Sequence, residues 1–428
     1  MRRRRYRVTV RPDPTPPPSR VTVLGTGLAG LRTAAELRAQ GFTGELTVVG
    51  AEEHEPYDRP PLSKELLSRP EPVRLADEHY GDLTELADVL LPGTRALALA
   101  ADDDGAVVTV VDHAGERELS TDAVVLATGS APVVLPGWHG VLTLHDLDDA
   151  ARLRGLLRPG AHLVVVGAGW IGAELATVAA GHGVRVTVLE GGPVPLGRVL
   201  GPQVGGLFVP WYAEHGIDLR CDVMVTAADA HGVELADGTR LEADVVVAAI
   251  GVRPRTAWLA GALPLTARGA VPVGLTGRVV DGPASVRAVG DCADRHSPRD
   301  GLVPGAHWDG ALSHPAALVA DLLGQAPDPA PDPAPYVFST QLGRELTVVG
   351  HVPPGAQVVL RGEPGAGPWA ALYVLPGADG EPRLHAALTV DRPRDVGQLR
   401  KALSGPEHPV LDVAAAADPD VRLRAALG

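Results

Sequence analysis

The chain has 428 residues, 45% hydrophobic and 21% charged, which is typical of a globular protein with two or three domains. Its formal net charge of −14 argues against general nucleic-acid binding, and every long apolar run is interrupted by charges or turn glycines, which argues against a membrane span. The two cysteines, Cys221 and Cys292, lie far apart and exclude the paired-cysteine patterns of zinc, iron–sulfur and dithiol sites. We therefore expect a cytoplasmic protein, either a monomer or a weak dimer, without a metal site.

Residues 1–19 are predicted to form a disordered tail that is rich in arginine and proline. Seven arginines precede Val21, and no hydrophobic stretch follows them, so a secretory signal is not expected. Electrostatic attraction of an acidic partner to this tail stays open as an alternative.

Residues 21–34, VTVLGTGLAGLRTA, predict a buried strand, a glycine-rich turn and a helix. Gly25 would allow the tight turn, Gly27 would let the backbone approach a pyrophosphate, and Gly30 would let the helix pack closely on the strand. The next predicted strand leads to Glu52, where a carboxylate can accept hydrogen bonds from ribose hydroxyls.

Residues 163–176, LVVVGAGWIGAELA, repeat this pattern, and the strand that follows ends at Glu190. One G-x-G-x-x-G motif alone is weak evidence, because glycine also marks ordinary turns. Two copies with an acid at the matching place predict two bound dinucleotides. Glu190 favours a free 2′-hydroxyl and hence NADH over NADPH, whereas Arg198 could bind the pyrophosphate or weaken that discrimination.

The remaining segments predict further elements in chain order. Residues 285–294, SVRAVGDCAD, indicate an apolar strand that ends at Asp291, and residues 314–324 indicate a helix. Residues 326–336 alternate proline with alanine and aspartate and predict a semi-rigid linker. Beyond the linker, alternating apolar and polar residues predict an antiparallel sheet before a final helix. The predicted fold is α/β, with two Rossmann-like dinucleotide-binding domains and a C-terminal α+β domain.

Six motifs identify a family: VLGTGLAG, EPYDRPPLSK, VVLATGSAP, VVVGAGWIGAE, AAIGVRP and AVGDCAD. In this order they resemble the flavoprotein reductases with two dinucleotide sites, and among these the NADH-dependent ferredoxin reductases that serve oxygenases and cytochromes P-450. The loop EPYDRPPLSK is the most discriminating, because glutathione-reductase-like relatives carry a C-x4-C redox pair in that region. The resemblance implies a glutathione-reductase-like arrangement: an FAD-binding domain at 20–134 and 254–328, an NADH-binding domain at 135–253, and a C-terminal domain at 329–428.

The resemblance also implies roles for individual residues. Those expected to bind FAD are Gly25, Gly27, Leu28, Ala29, Gly30, Glu52, Arg59, Lys64, Ala127, Thr128, Gly129, Asp291 and Trp308. Those expected to bind NADH are Gly167, Gly169, Ile171, Gly172, Glu190, Arg198 and Gly251. Lys64 and Glu174 are the expected catalytic pair, placing the nicotinamide carboxamide and stabilising the reduced, anionic flavin. Lys64 and Lys401 are the only lysines among 38 basic residues.

Four of these residues have an alternative interpretation that is purely structural. Lys64 could be a solvated cation at the start of a helix, and Glu174 a surface acid on a helix. A local salt bridge alone could explain Arg59, and core packing could explain Trp308. Cys292 is best interpreted as a lone buried thiol.

Two segments depart from the family pattern. The family usually carries an arginine and a glutamate where this chain has Pro304 and Ala306, and a Trp-Ser-Asp-Gln-Tyr-like run where this chain has Phe338-Ser339-Thr340-Gln341-Leu342. Both departures leave the predicted FAD and NADH binding unchanged, but they leave open the identity of the electron acceptor and, to a lesser extent, the efficiency of turnover. Three functions therefore remain open: a ferredoxin reductase, a flavin-dependent NADH oxidase or reductase of quinones or oxygen, and a slow-turnover protein that binds FAD and NADH.

Overall fold

The computed structural model describes residues 17–305, 307–327 and 329–427. Residues 1–16 of the predicted tail and Ala306 lie outside the described residues. The helices and strands of the first part of the chain are β1 (Arg20–Leu24), α1 (Leu28–Ala39), β2 (Glu45–Val49), α2 (Pro61–Lys64), α3 (Leu83–Leu86), β3 (Val89–Leu91), β4 (Arg95–Ala101), β5 (Ala106–Asp112), β6 (Gly115–Thr121), β7 (Ala123–Leu126), β8 (Ser130–Pro132) and α4 (Leu147–Leu156).

The second glycine-rich motif opens the next set of elements. They are β9 (His162–Val166), α5 (Trp170–Gly181), β10 (Arg185–Leu189), α6 (Gly197–Gly206), α7 (Val209–Glu214), β11 (Asp218–Arg220), β12 (Val225–Asp229), β13 (Gly232–Leu235), β14 (Arg240–Glu242), β15 (Val245–Ala248) and β16 (Val252–Pro254).

The last part of the chain contains two short 3₁₀ helices and the remaining regular elements. The 3₁₀ helices are Ala257–Leu259 and Gly290–Cys292; the others are β17 (Val271–Val273), β18 (Val286–Ala288), β19 (Ala293–Ser297), β20 (Gly301–Pro304), α8 (Trp308–Leu322), β21 (Tyr336–Gln341), β22 (Arg344–Gly350), β23 (Gln357–Arg361), β24 (Trp369–Pro376), β25 (Pro382–Val390), α9 (Pro393–Leu403), α10 (Val413–Ala417) and α11 (Leu423–Ala426).

Two parallel sheets carry the two glycine-rich motifs. The first has the order β18-β7-β1-β2-β3, so the chain returns to it through β18 after building the second unit. The second has the order β11-β10-β9-β15. A parallel sheet places the carboxyl ends of its strands at one edge, where α/β proteins bind ligands. β8 and β16 pair with each other and join the two units beside those edges.

The C-terminal part forms an antiparallel sheet of order β21-β22-β25-β24-β23, covered by α9 to α11. Its other face shares a hydrophobic core with the second unit, where Trp369 packs near Phe208 and Trp211 with ring centroids 6.4 and 6.5 Å away. The predicted α/β architecture with a C-terminal α+β domain is confirmed, while the domain limits stay a prediction.

Two helix predictions differ from the structure in detail. α8 begins at Trp308 and continues through Pro315, although an interior proline disfavours a helix, because packing against α1 holds α8 in place. The predicted final helix is three short helices, since Gly405, Pro406 and Pro409 interrupt the segment between α9 and α10. Within the described ranges, every helix falls short of the length and apolarity that crossing a membrane requires.

Candidate active site

The first glycine-rich loop connects β1 to α1, and its glycines have different environments. A Cβ atom on Gly25, where φ is +130°, would lie 2.1 Å from the Ala127 carbonyl oxygen at the end of β7. One on Gly30 would lie 1.8 Å from the Gly25 carbonyl oxygen. A Cβ atom on Gly27 would meet nothing within 4 Å. Internal packing therefore explains Gly25 and Gly30, whereas the open space at Gly27 fits a ligand that approaches the backbone.

The second loop, between β9 and α5, has the same three environments. A Cβ atom on Gly167 would lie 2.5 Å from the Ala249 carbonyl oxygen, and one on Gly172 would lie 2.1 Å from the Gly167 carbonyl oxygen. Gly169 again faces open space, with nothing within 4 Å of a Cβ atom. Both α1 and α5 begin at these open glycines without a side-chain cap, so their first N–H groups can bind phosphate oxygens. Each loop fits a dinucleotide pyrophosphate.

Glu52 follows β2 and belongs to a hydrogen-bonded group. Tyr57 donates its hydroxyl to Glu52 Oε2 at 2.7 Å, and Arg59 Nη2 donates to Glu52 Oε1 at 2.6 Å. Burial opposes the charge of Glu52, but Arg59 and the Tyr57 hydroxyl hold its pKa below the usual value. Arg59 is also bonded to the carbonyl oxygen of His145. The carboxylate is thus ionised and partly accessible, as a ribose partner must be, and the local salt bridge foreseen for Arg59 exists.

The loops at the ends of β7 and β18 lie beside the first glycine loop. Ser130 Oγ donates to Asp291 Oδ2 at 2.8 Å, and the Thr128 hydroxyl donates to the carbonyl oxygen of Arg255 at 3.0 Å. A Cβ atom on Gly290, where φ is +76°, would approach Ala29 Cβ to 3.0 Å. This close contact brings Asp291 to the N-terminal turn of α1, where the sequence predicts the FAD pyrophosphate and ribityl group.

Glu190, at the end of β10, is bonded to the backbone around the second loop. Ala168 N–H donates to Oε2 at 2.9 Å, and Gly192 N–H donates to Oε1 at 2.8 Å. The two hydrogen bonds thereby fix the Glu190 side chain next to the loop. Arg198 is exposed on the first turn of α6.

Two residues that are predicted to bind NADH lie open to solvent. Ile171 occupies the first turn of α5 and is 42% exposed, which is unusual for a large apolar side chain. Gly251 is exposed in the turn between β15 and β16, with φ of +113°.

Lys64 and Glu174 meet where α2 packs against α5. Lys64 Nζ lies 2.8 Å from Glu174 Oε1, and the two side chains are 19% and 2% exposed. Glu174 also accepts hydrogen bonds from the hydroxyls of Ser63 and Ser339, each at 2.5 Å. A carboxylate removed from water in this way is stable only when paired with a cation and hydrogen-bond donors. The structure brings the predicted catalytic pair together, and their role in the reaction stays a prediction.

Trp308 opens α8 near the same pair. Its indole N–H donates to Asp58 Oδ1 at 2.7 Å, and its ring meets that of Phe338 edge to face at 5.9 Å. Lys64 Nζ lies 5.2 Å from the centroid of the Phe338 ring, within cation–π range. Trp308 therefore lies close to the Lys64–Glu174 pair and is not confined to a hydrophobic core, and its contact with FAD stays a prediction. Pro304 ends β20, where it pairs with Asp294.

Ser63, Tyr57, Asp58 and Ser339 contact predicted site residues but were not identified from the sequence. The first three lie within the loop EPYDRPPLSK, which also contains the predicted residues Arg59 and Lys64. Their position in this family motif could have identified them as site residues. Ser339 comes from the C-terminal domain, 165 positions from Glu174, and no spacing pattern reveals that contact.

Comparisons with known proteins agree with this geometry. The profile of the pyridine nucleotide-disulphide oxidoreductases matches residues 19–310, and that of the reductase C-terminal domain matches residues 336–427. The benzene 1,2-dioxygenase system ferredoxin–NAD(+) reductase subunit of Pseudomonas putida is 31% identical, over 88% of this chain and 90% of that protein.

Two solved structures have a similar backbone fold. The crystal structure of Fdr9 is 40% identical with a TM-score of 0.85, covering 95% of this chain and 99% of the other. The putidaredoxin reductase–putidaredoxin complex is 28% identical with a TM-score of 0.80, covering 94% and 97%. The chain belongs to the pyridine nucleotide-disulphide oxidoreductase family, as the sequence predicts, and it is an oxidoreductase.

Proposed function

We propose that this pyridine nucleotide-disulphide oxidoreductase is an FAD-dependent NADH:ferredoxin reductase. It takes electrons from NADH and delivers them singly to a 2Fe–2S or similar ferredoxin that feeds a cytochrome P-450 or another oxygenase. The observation that carries the proposal is the arrangement of two matching glycine loops, each with open space at its second glycine, and the Lys64–Glu174 pair. FAD supplies the redox chemistry when it is bound, because it accepts two electrons from a nicotinamide and releases them one at a time.

The protein's own residues bind and orient the two dinucleotides. Gly27 and Gly169 admit the pyrophosphates to the N-terminal turns of α1 and α5. Glu52 accepts hydrogen bonds from the FAD ribose, and Glu190 does the same for the NADH ribose and repels a 2′-phosphate. Lys64, held by Glu174, supplies a fixed positive charge that stabilises the reduced cofactor.

Electrons leave this chain without a dithiol step. The only two cysteines are free: Cys292 is fully buried next to the carbonyl oxygens of Leu126 and Val289, and Cys221 lies on the other unit after β11. Burial raises the pKa of the Cys292 thiol, which makes it unreactive. A single-electron acceptor that docks near the flavin, such as a ferredoxin, suits this architecture.

The names of the relatives support ferredoxin as that acceptor. The relative from P. putida is called a ferredoxin–NAD(+) reductase, and one structural neighbour was solved in a covalent complex with putidaredoxin. We further propose the domain limits stated above, a cytoplasmic location, and a monomer or weak dimer as the working state.

The test is reduction of cytochrome c by NADH in the presence and absence of a 2Fe–2S ferredoxin. We expect turnover that depends on the ferredoxin and saturates with it, with little direct reduction of menadione or oxygen. Fast reduction of menadione or oxygen together with ferredoxin-independent rates would favour the small-acceptor oxidase. Slow turnover with every acceptor would favour a cofactor-binding protein instead.

A further inference from the structure

We infer that Ser339, on the first strand of the C-terminal domain, is a positioning residue for the redox site. It acts through Glu174 and thereby on Lys64. The inference rests on the proposed function, because the Lys64–Glu174 pair affects a rate only if the nicotinamide and the flavin meet beside it. It assigns the C-terminal domain a part in the reduction of the flavin, in addition to any part in docking an acceptor.

The hydrogen bonds of Ser339 with Glu174 and Gln341 fix the direction of its hydroxyl proton. It donates to Glu174 Oε1 at 2.5 Å, and Gln341 Nε2 donates to Ser339 Oγ at 3.0 Å. Because the amide occupies an acceptor position of the serine oxygen, the serine proton is directed at the carboxylate. Ser339 and Gln341 are each 2% exposed and share one face of β21, whereas Thr340 between them is exposed.

Ser339 completes a set of donors that fixes the carboxylate from both sides. Lys64 and Ser339 share Glu174 Oε1, while Ser63 holds Oε2. All three bonds end on an ionised acceptor, so each is stronger than a bond between neutral groups. Without Ser339, Oε1 would be held by the Lys64 ammonium alone. That ammonium sits on a flexible four-carbon stem and does not fix the orientation of the carboxylate plane.

The strand that carries Ser339 is held firmly to the helix that carries Glu174. Leu342 N–H, just after β21, donates to Thr177 Oγ1 on α5 at 2.9 Å. Tyr373 of β24 donates its hydroxyl to the carbonyl oxygen of Leu200 at 2.9 Å, in the core shared by both domains. Ser339 therefore keeps a defined place relative to α5, which is what orientation of a buried carboxylate requires.

The experiment measures anaerobic bleaching of the bound FAD by saturating NADH. Ser339→Ala should slow bleaching about ten-fold, as expected for a lost charge-assisted hydrogen bond. Ser339→Thr, which keeps a hydroxyl, should recover most of the rate. Thr340→Ala is the matched control on the exposed face of the same strand and should bleach at the wild-type rate. FAD content and the midpoint potential are measured for each variant, and the potential should fall in Ser339→Ala alone.

A second arm separates positioning from general stability. In a Glu174→Gln background the Ser339→Ala substitution should change the rate by less than about two-fold, because residues that act as a unit are not additive. An equal loss in both backgrounds would overturn the inference, as would an unchanged rate in Ser339→Ala while the wild type bleaches fast. Failure of NADH to bleach the wild type would overturn the proposed function itself.

Discussion

The Lys64 ammonium lies 2.8 Å from the Glu174 carboxylate, although 110 positions separate the two residues in sequence. Lys64 ends the short helix α2 of the first unit, and Glu174 lies on the helix that follows the second glycine loop. This contact joins the two dinucleotide units at one charged pair. The proposed electron transfer from NADH to FAD places both cofactors beside this pair.

Replacing Lys64 should slow flavin reduction and also lower Tm, because the Glu174 carboxylate would stay buried without its cation. In Lys64→Met the buried carboxylate of Glu174 loses its cation and the reduced flavin loses a stabilising charge. We expect the NADH-dependent bleaching rate to fall about 100-fold, as for loss of one preorganised electrostatic group. Lys401→Met is the matched control, because Lys401 is exposed on α9 and is the only other lysine. Equal rates in the two variants would contradict the assigned role of Lys64.

Gly169 should be needed for NADH binding but not for folding. A methyl group there would meet no atom of the protein within 4 Å, and φ is −80°. Gly169→Ala should therefore cost only a few degrees of Tm, as for a changed helix cap, and raise the Kd for NADH at least about ten-fold. Titration calorimetry and thermal unfolding test both parts.

Two other glycines of the same segment serve as controls. Gly172→Ala should unfold at a much lower temperature, because its Cβ atom would lie 2.1 Å from a carbonyl oxygen. Gly181→Ala, in open space at the end of α5, should leave both quantities near wild type. An unchanged Kd in Gly169→Ala would mean that the nucleotide does not approach this loop.

Glu190 should set the preference for NADH over NADPH. Its side chain is fixed by two backbone N–H groups beside the second loop. Glu190→Gln removes the repulsion of a 2′-phosphate, so the ratio of kcat/KM for NADH to that for NADPH should fall about ten-fold or more. The control is Glu234→Gln, an exposed acid on β13. If the ratio stays at the wild-type value, Glu190 does not set the preference for NADH, and another residue does.

Two partly buried histidines should make the protein less stable in mild acid. Burial, with help from Arg295, lowers the pKa of His314 to about 4, and burial with Arg59 does the same for His145. Both residues bind a proton more readily in the unfolded chain, where the pKa is about 6.5. Their contribution to the free energy of unfolding is complete above about pH 6.5 and is lost as the pH falls toward 4.

The measurement is Tm as a function of pH for the wild type and for His314→Gln. The wild-type Tm should fall between about pH 7 and about pH 5, and the fall should be smaller in His314→Gln. His296→Gln, an exposed histidine on β19, should follow the wild-type curve. Three parallel curves would contradict the contribution of His314.

The local motifs were predictable from the sequence because they depend on short-range geometry. Glycine is favoured at positions 25 and 167 by positive φ angles, and at positions 30 and 172 by the carbonyl oxygens of Gly25 and Gly167 five residues earlier. The position of Pro315 inside α8 was not predicted, because proline there resembles a helix start. The contact between Ser339 and Glu174 depends on how two domains pack, and neither periodicity nor spacing records such a contact.

The central claim is that the two loops hold NADH and FAD so that one reduces the other. Its most direct test is anaerobic stopped-flow mixing of the purified FAD protein with NADH and, separately, with NADPH. We expect rapid loss of the flavin absorbance with NADH and a much slower loss with NADPH. A flavin that neither nucleotide bleaches would contradict the proposed transfer of electrons from NADH to FAD.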